Sequence, residues 1–387
     1  MYKIKTLNKI AVCGTRELPT DKFIVSDTEE NPDGILLRSY AMEEKDLTAN
    51  LQVIARAGAG VNNIPVARCT EKGIVVLNTP GANANAVKEM VIAGLLLSSR
   101  KIVDGINWAQ GLAGQDGVPA LVEKGKSAFA GPEISGKKLG VLGLGAIGIL
   151  VANVGRRLGM SVTGYDPFIT VENAWGLSGG VHRAVSEDAM MADCDYLTVH
   201  IPVTKDTKHK FNAEFFAKCK KGIRILNFSR AELFDNSALK AAIVNGTVAS
   251  YVTDFPTEDL LGVEGVIPIP HLGASTPESE DNCASMSAQE IRDYLLYGNI
   301  KNSVNFPDCE MPPSGRRRIC VLHKNLAKII GRVTGTISER GVNIDSMKSG
   351  SRGECACTII DVDDGDITGI EDALMAIENV IKVRVIY

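Results

Sequence analysis

Apolar and polar positions along the 387 residues fall into three regimes. Through residue 98, short apolar runs alternate with stretches of helical spacing. Ile10–Cys13, Gly34–Arg38, Val53–Ala57 and Ile74–Leu77 are expected as buried strands ended by turn residues. A glycine-rich stretch from Gln110 to Gly131 has little periodicity and predicts loop or short helix. From Lys137 the alternation resumes. Lys138–Gly143, Ser161–Tyr165, Tyr196–His200, Gly222–Asn227 and Ala249–Thr253 are strand candidates with helix-like segments between them, a pattern that predicts a parallel sheet covered on both faces. Helical spacing returns over Ala284–Tyr297. The loop Asn302–Gly315, with three prolines before the basic run Arg316–Arg318, has the composition of a linker. The last stretch reads as strand Ile319–His323, helix Ala327–Glu339, strands near Ser346–Ser349 and Cys355–Val362, a helix from Ile370 and strand Ile381–Ile386. That order is βαββαβ, an α+β sandwich.

Composition narrows the function classes. With 45% apolar and 23% charged residues and a net charge of -4, no global positive field exists to hold nucleic acid or an anionic membrane. The N-terminus lacks a signal-like apolar core, and runs such as Val91–Leu97 are broken by Gly94 and too short to span a bilayer. The nine cysteines are scattered. Cys355 and Cys357 alternate along a strand without the spacing of a zinc or redox pair, so no metal is expected and reduced thiols of a cytoplasmic protein are.

The first chemistry-bearing motif is Gly143-Leu-Gly-Ala-Ile-Gly148. It follows the apolar strand Leu139–Leu142 and opens a helix, the setting a dinucleotide-binding loop needs. Gly143 permits the tight turn, Gly145 lets backbone approach a pyrophosphate, and Gly148 lets helix and strand pack closely. Ala146 and Ile147 begin the helix whose N-terminus faces the phosphates. Asp166 stands 18 residues beyond Gly148, at the end of the next strand candidate. A carboxylate there bonds ribose hydroxyls and repels a 2′-phosphate, so NAD is expected over NADP.

At this point the sequence resembles the D-isomer-specific 2-hydroxyacid dehydrogenases over nearly its whole length. Leu139–Gly148 with Tyr165-Asp166-Pro167 is similar to that family's cofactor signature. His200-Ile-Pro-Val-Thr-Lys-Asp-Thr207 resembles the segment under the adenine and pyrophosphate, so His200, Pro202 and Thr207 are implied cofactor contacts. Asn227-Phe-Ser-Arg230 resembles the segment of the catalytic arginine, with Phe228 and Ser229 beside the cofactor. Phe255-Pro-Thr-Glu258 and Pro270-His-Leu-Gly-Ala274 resemble those of the catalytic acid and histidine, with Gly273 and Ala274 near the cofactor. The resemblance implies hydride transfer to NAD. His271 would take the hydroxyl proton, since imidazole titrates near working pH. Glu258 would bond its far nitrogen, and Arg230 would hold the substrate's carboxylate and carbonyl oxygen. In one departure, the family's Asp-x-Phe order stands here as Thr253-Asp254-Phe255, so the nicotinamide contact falls to Asp254 or to Thr253, with Asp254 favoured.

The resemblance also implies two doubly wound parallel-sheet domains. Residues 99–283, the NAD-binding Rossmann domain, would be inserted between 1–98 and the returning segment 284–305 of the substrate-binding domain. The active site would lie in their cleft, followed by a linker at 306–317 and a small α+β domain at 318–387. The segments Leu36-Leu37-Arg38-Ser39 and Arg56-Ala-Gly58 resemble those of members acting on 3-phospho-D-glycerate, where Arg38, Ser39, Arg56, Ala57 and Gly58 would meet the substrate's anionic groups. Lys88 stands where a small residue is usual and adds a charge suited to phosphate; a solvated helix-end lysine is the alternative. The tail resembles an ACT domain, a regulatory module that binds amino acids at paired interfaces. His323, Asn325 and Asn343 match its L-serine spacing, although Ala327-Lys328 replaces the usual Pro-Gly. A homodimer or homotetramer is implied. The competing readings are a hydroxypyruvate or glyoxylate reductase and an NADH-sensing corepressor-like binding protein.

Overall fold

In the computed structural model, which describes residues 1–387, the first five strands are β1 (Tyr2–Leu7), β2 (Phe23–Ser26), β3 (Gly34–Leu37), β4 (Val53–Arg56) and β5 (Val75–Asn78). They form one parallel sheet in the order β2-β1-β3-β4-β5. Alternate residues face opposite ways, so Ile4, Leu36, Val53, Ala55, Val75 and Leu77 meet Ile291, Tyr294 and Leu295 of the helix Pro277–Tyr297. The other face packs Ile35, Leu37, Ile54 and Val76 with Leu47, Leu51 and Ile64.

The expected strand at Ile10–Cys13 is absent, because Val12–Arg16 is a short helix and the strand lies earlier, at β1. Val12 is exposed, whereas Ile4 is fully buried. Gly14 presses so close to the Ala284 backbone that a Cβ there would lie 2.6 Å from its carbonyl oxygen.

The second sheet comprises β6 (Lys138–Leu142), β7 (Ser161–Tyr165), β8 (His182–Arg183), β9 (Tyr196–Val199), β10 (Ile223–Asn227), β11 (Val248–Thr253) and β12 (Val266–Pro268). All pairs are parallel, in the order β12-β11-β10-β9-β6-β7-β8. The order reverses between β6 and β9, the switch point where ligands settle beyond the strand ends of open α/β sheets. Helix Ala84–Arg100 sets Val87, Val91 and Leu95 against this sheet's core with Leu226, Phe228 and Val252. The Gln110–Gly131 stretch, expected as loop or short helix, holds turns over 111–117 and the short helices Val118–Gly125 and Lys126–Phe129.

The third sheet is antiparallel: β13 (Arg317–Lys324), β14 (Ile344–Arg352), β15 (Cys355–Val362) and β16 (Val380–Ile386), in the order β14-β15-β13-β16. Helices Ile329–Ser338 and Ile370–Met375 cover one face through Val333, Ile337 and Leu374. The opposite face, with Cys320, Leu322, Cys357 and Ile359, belongs to the same apolar cluster as Ile4 and Tyr294.

Contacts accordingly divide the chain into two units, Met1–Asn83 with Pro277–Tyr387, and Ala84–Thr276. The segment with linker composition is built into the first unit. Phe306 and Cys309 are buried, Ser303 bridges to Leu77, and the Asn305 side chain pairs with the backbone of Val76 and Ile74 like an added strand residue. Arg318 closes this join. It donates twice to Asp361 and also to the carbonyls of Tyr297, Met311 and Pro312. No helix is long and apolar enough to cross a membrane.

Candidate active site

The loop after β6 shows what each glycine does. Gly143 has φ +91°, and a Cβ there would meet the His200 carbonyl oxygen at 2.5 Å. At Gly148 a Cβ would lie 1.9 Å from the Gly143 oxygen, so strand end and helix Ala146–Arg157 touch. At Gly145, which caps that helix, a Cβ would meet nothing within 4 Å. Nothing in the protein itself keeps that position bare, and the open space before a helix N-terminus suits a phosphate group. Ala146 is exposed and Ile147 half-buried on the first turn.

Asp166 follows β7 and clamps this loop: one carboxylate oxygen accepts from Leu144 N at 2.8 Å, the other from Phe168 N at 2.8 Å. It stands at a cavity of about 520 Å³ lined by Leu144, Ile169, Leu177, Val181 and Arg183 among others. A largely apolar slot beside a carboxylate at this strand end fits the adenosine end of a dinucleotide. Beyond Leu144 and residues 164–167, its lining comes from 169–185, a region without a motif, and only the folding of Leu177 and Val181 over β7 reveals it.

Across the switch point, His200 follows β9. Burial keeps its imidazole neutral, with the pKa pushed down to about 3. Nε2 pairs with Thr198 Oγ1 at 2.8 Å, and Nδ1 is buried without a partner. Pro202 and Thr207 shape the loop that follows, since Thr207 Oγ1 donates to the Pro202 carbonyl and accepts from Thr204 N. After β10, Phe228 is buried and Ser229 Oγ donates to the Val199 carbonyl. The Gly145 opening, the Asp166 carboxylate, the slot and the His200 nitrogen together fit a bound dinucleotide.

The catalytic candidates stand on neighbouring loops of the same unit. Arg230 is exposed, its guanidinium 6.0 Å from the Phe255 ring centre. His271 is also exposed, at φ +52° in a left-handed conformation uncommon for non-glycine residues, and its ring lies 4.8 Å from that of Phe255. Asp254 holds this turn. It is buried, and its two oxygens accept from Leu272 N at 2.7 Å and Gly273 N at 2.8 Å. Burial raises its pKa, opposed by those two backbone bonds. Thr253 is fully buried and its hydroxyl accepts from Phe255 N. Sequence reasoning missed the turn-holding role of Asp254; it requires residues 254 and 272 to be adjacent in space. Ala274 follows the turn, half-buried.

The structure does not join Glu258 to His271. Glu258 is exposed on its own loop, and the imidazole lies against Phe255 instead. Lys88, on the helix Ala84–Arg100, donates to Asn85 Oδ1 and stands 3.6 Å from Glu89.

In the unit built on the first sheet, Arg38 and Arg56 end β3 and β4. Arg38 pairs with Glu280 at 2.8 Å, and its carbonyl accepts from Arg56 Nε at 3.0 Å. Ser39 N donates to Asn8 Oδ1, Ala57 N to the Leu37 carbonyl, and Gly58 takes φ +151° where Arg56 folds over it. Glu280 as the partner of Arg38 had no sequence signal.

In the tail, His323 is buried, with Nδ1 on the Lys324 carbonyl and Nε2 on Thr358 Oγ1. Burial lowers its pKa, opposed by the Lys324 bond. Asn325 bonds the Gly353 carbonyl, and Asn343 is exposed beside Asp363. His323 is paired with Ala356 and Ile344 with Val362, near opposite ends of β15. One copy of the chain therefore keeps His323 and Asn343 roughly 20 Å apart by strand rise. Lys328, at the position expected to be glycine, takes the left-handed φ of +73° that a glycine would supply.

Glycine loop, switch point and acidic strand end define a nucleotide-binding α/β domain. Residues 92–273 match the family described as D-isomer specific 2-hydroxyacid dehydrogenase, NAD binding domain. Over most of its length the chain is similar to D-3-phosphoglycerate dehydrogenases. It is 35% identical to that of Synechocystis sp. over 84% of this chain and 57% of the relative. It is 32% identical to that of Bacillus subtilis over 79% of this chain and 59% of the relative. The chain thus spans somewhat more than half the length of these curated relatives. Among solved structures, an NAD+-bound 3-phosphoglycerate dehydrogenase of Entamoeba histolytica aligns with a TM-score of 0.60 and 27% identity. That alignment covers 79% of this chain and 98% of that one.

Proposed function

We propose that the protein oxidises 3-phospho-D-glycerate to 3-phosphohydroxypyruvate with NAD, the entry step to L-serine. The observation that carries this reading is the glycine loop clamped by Asp166, on a chain 35% identical to the Synechocystis enzyme over 84% of its residues. Gly143–Gly148, Asp166, His200, Pro202, Thr207, Phe228, Ser229, Gly273 and Ala274 hold the cofactor. Asp254 serves it by fixing the 272–273 turn, each of its oxygens keeping a lone pair beyond the backbone bond it accepts.

Held by these residues, NAD would supply the hydride acceptor for substrate C2. His271 takes the hydroxyl proton and returns one in the reverse direction. Arg230 pairs with the carboxylate and the oxygen on C2, orienting that carbon and, in reduction, polarising the carbonyl. Glu258 is assigned to orient His271, although the two are not bonded in this structure. Arg38, Arg56 and Lys88 take the substrate's anionic groups, with Ser39, Ala57 and Gly58 offering backbone around them. Arg38 exchanges Glu280 for the substrate, an inexpensive exchange because both side chains are over 40% exposed.

Regulation belongs to the same reading. L-serine would be held by His323, Asn325 and Asn343 across paired tails of a homodimer or homotetramer. A serine titration that leaves the rate unchanged at millimolar concentration would remove that part. The nine free thiols suit the reducing cytoplasm.

The test is NADH oxidation with phosphohydroxypyruvate, hydroxypyruvate, glyoxylate and pyruvate side by side. A strong preference for the phosphorylated substrate is expected. Equal or better rates without phosphate would leave a hydroxypyruvate or glyoxylate reductase, and no turnover with any of them would leave an NADH-sensing role.

A further inference from the structure

Three neighbouring strands of the first sheet, β1, β3 and β4, end at one rim. Their register sets Leu7 beside Leu37 and Leu37 beside Arg56. Asn8 is the first residue past β1, Arg38 the first past β3, and Arg56 the last of β4. Ligands of open parallel sheets settle beyond the carboxyl ends of the strands. Two arginines stand at this rim, and a substrate with two anionic groups needs them at a fixed separation.

The segment 38–42 that carries the first arginine belongs to no helix or strand. Two asparagine side chains fix it instead. Asn8 Oδ1 accepts from Ser39 N at 3.1 Å and from Tyr40 N at 2.6 Å. Asn63 Nδ2 donates to the Arg38 carbonyl at 3.3 Å and to the Tyr40 carbonyl at 2.8 Å. The Asn63 backbone adds a third tie, its carbonyl accepting from Met42 N at 2.9 Å. Asn8 holds φ +69°, a left-handed conformation that asparagine tolerates better than most residues.

The Arg38 carbonyl is the hub of this arrangement. It accepts from Asn63 Nδ2 and also from Arg56 Nε at 3.0 Å, which uses both of its lone pairs. The rest of the Arg56 guanidinium lies over Gly58, where a Cβ would collide with Nη1. The backbone of one arginine thus sets the side chain of the other, and Asn63 sets that backbone. Amide polarity makes the two braces different. Asn8 acts as an acceptor toward two N–H groups. Asn63 acts as a donor toward two carbonyls, and its own Oδ1 is buried with no partner.

We propose that Asn8 and Asn63 are positioning residues for the substrate: by bracing 38–42 they fix the separation of Arg38 and Arg56, so that both guanidinium groups meet the anionic groups of one bound molecule. The inference rests on the assignment of those two arginines to the substrate. Every residue assigned to NAD belongs to the other unit, so cofactor affinity is not involved.

Steady-state kinetics of the full chain with phosphohydroxypyruvate and NADH test it. Asn8→Gly deletes the acceptor at a left-handed position that glycine takes freely. It is expected to raise KM for the 2-oxo acid about tenfold and to leave kcat within about twofold of the parent. Asn8→Asp keeps an acceptor oxygen and is expected to bring KM back to within about twofold of the parent. Asn63→Asp sets an acceptor against two carbonyls and is expected to raise KM further than Asn63→Ala does. KM for NADH stays at the parent value in all four variants, a split that a merely structural role would not produce. If Asn63→Asp does not fold, the two Asn8 variants carry the test. An unchanged KM in Asn8→Gly, an Asn8→Asp no better than Asn8→Gly, or a KM for NADH that rises in parallel overturns the proposal while the dehydrogenase reading stands. A parent that turns over none of the 2-oxo acids, or is indifferent to the phosphate, overturns that reading and the proposal with it.

Discussion

Two glycines of one motif separate structural need from ligand need. At Gly148 the position is closed by the chain itself, with the Gly143 oxygen 1.9 Å from where a Cβ would sit. Gly148→Ala is expected to cost about 1–3 kcal/mol of stability, the scale of overpacking. At Gly145 nothing of the protein lies within 4 Å. Gly145→Ala is expected to keep the parent melting temperature, a change within about 0.5 kcal/mol, yet to weaken NADH binding. Paired melting curves and NADH fluorescence titrations separate the two, and equal losses of stability would refute the distinction. A second residue-scale device is Glu290. One of its oxygens accepts from Asn302 and the other is buried without a partner. Burial, opposed by Asn302 and Lys301 and reinforced by Asp308 and Asp293, pushes its pKa up to about 8. A carboxyl whose folded pKa is raised binds its proton more tightly in the fold. Its contribution is therefore full below the ordinary carboxylate range and is lost as pH rises to about 8. Glu290→Gln should gain on the parent by on the order of a few kcal/mol on the alkaline side, read as a flatter plot of melting temperature against pH.

Among the elements, β6, β7, β9 and β10 were legible because each is a dense apolar run ended by a turn, and the Gly143–Gly148 loop because its order of strand, glycines, helix and acid is local. Where the sequence misled, the deciding contact was distant. Ile10–Cys13 is as apolar as a strand, but the strand that forms is Tyr2–Leu7, between β2 and β3, whose Ile4 finds the Pro277–Tyr297 helix while Val12 is exposed. The slot beside Asp166, the Asp254 anchor and the Arg38–Glu280 pair join residues well apart in sequence, and the Asn302–Gly315 composition concealed a segment built into the core. Arg318 holds that segment to β15. With the pair almost fully buried, Arg318→Leu alone leaves Asp361 unpaired and is expected to cost about 3–5 kcal/mol. Arg318→Leu with Asp361→Leu should cost much less than the two single changes added together. Urea unfolding of the four proteins gives the coupling, and additive losses would mean that the carbonyl bonds of Arg318, not the ion pair, hold the join.

For the whole molecule, the division of the chain makes a statement about independence. Ala84–Thr276 is one continuous segment with its own seven-stranded sheet and its own apolar clusters, whereas the other unit is assembled from both ends of the chain. Within that second unit the tail is not an appendage: Cys320, Leu322, Cys357 and Ile359 share a core with Ile4, Leu36 and Tyr294. The fragment Ala84–Thr276 is therefore expected to fold cooperatively by itself and to bind NADH, because every residue assigned to the cofactor lies inside it. The chain cut after Gly315 is expected to fare worse than its length suggests. It loses the strands that cover Tyr294 and Leu295, and a newly exposed apolar face of that kind drives association. Circular dichroism melts with NADH titration of the fragment, and light scattering of the truncated chain, check both halves. A fragment that folds without binding NADH would assign part of the nucleotide site to the other unit. A truncated chain that stays monomeric and melts like the parent would show that the shared cluster contributes little, and that the tail is a separable module after all.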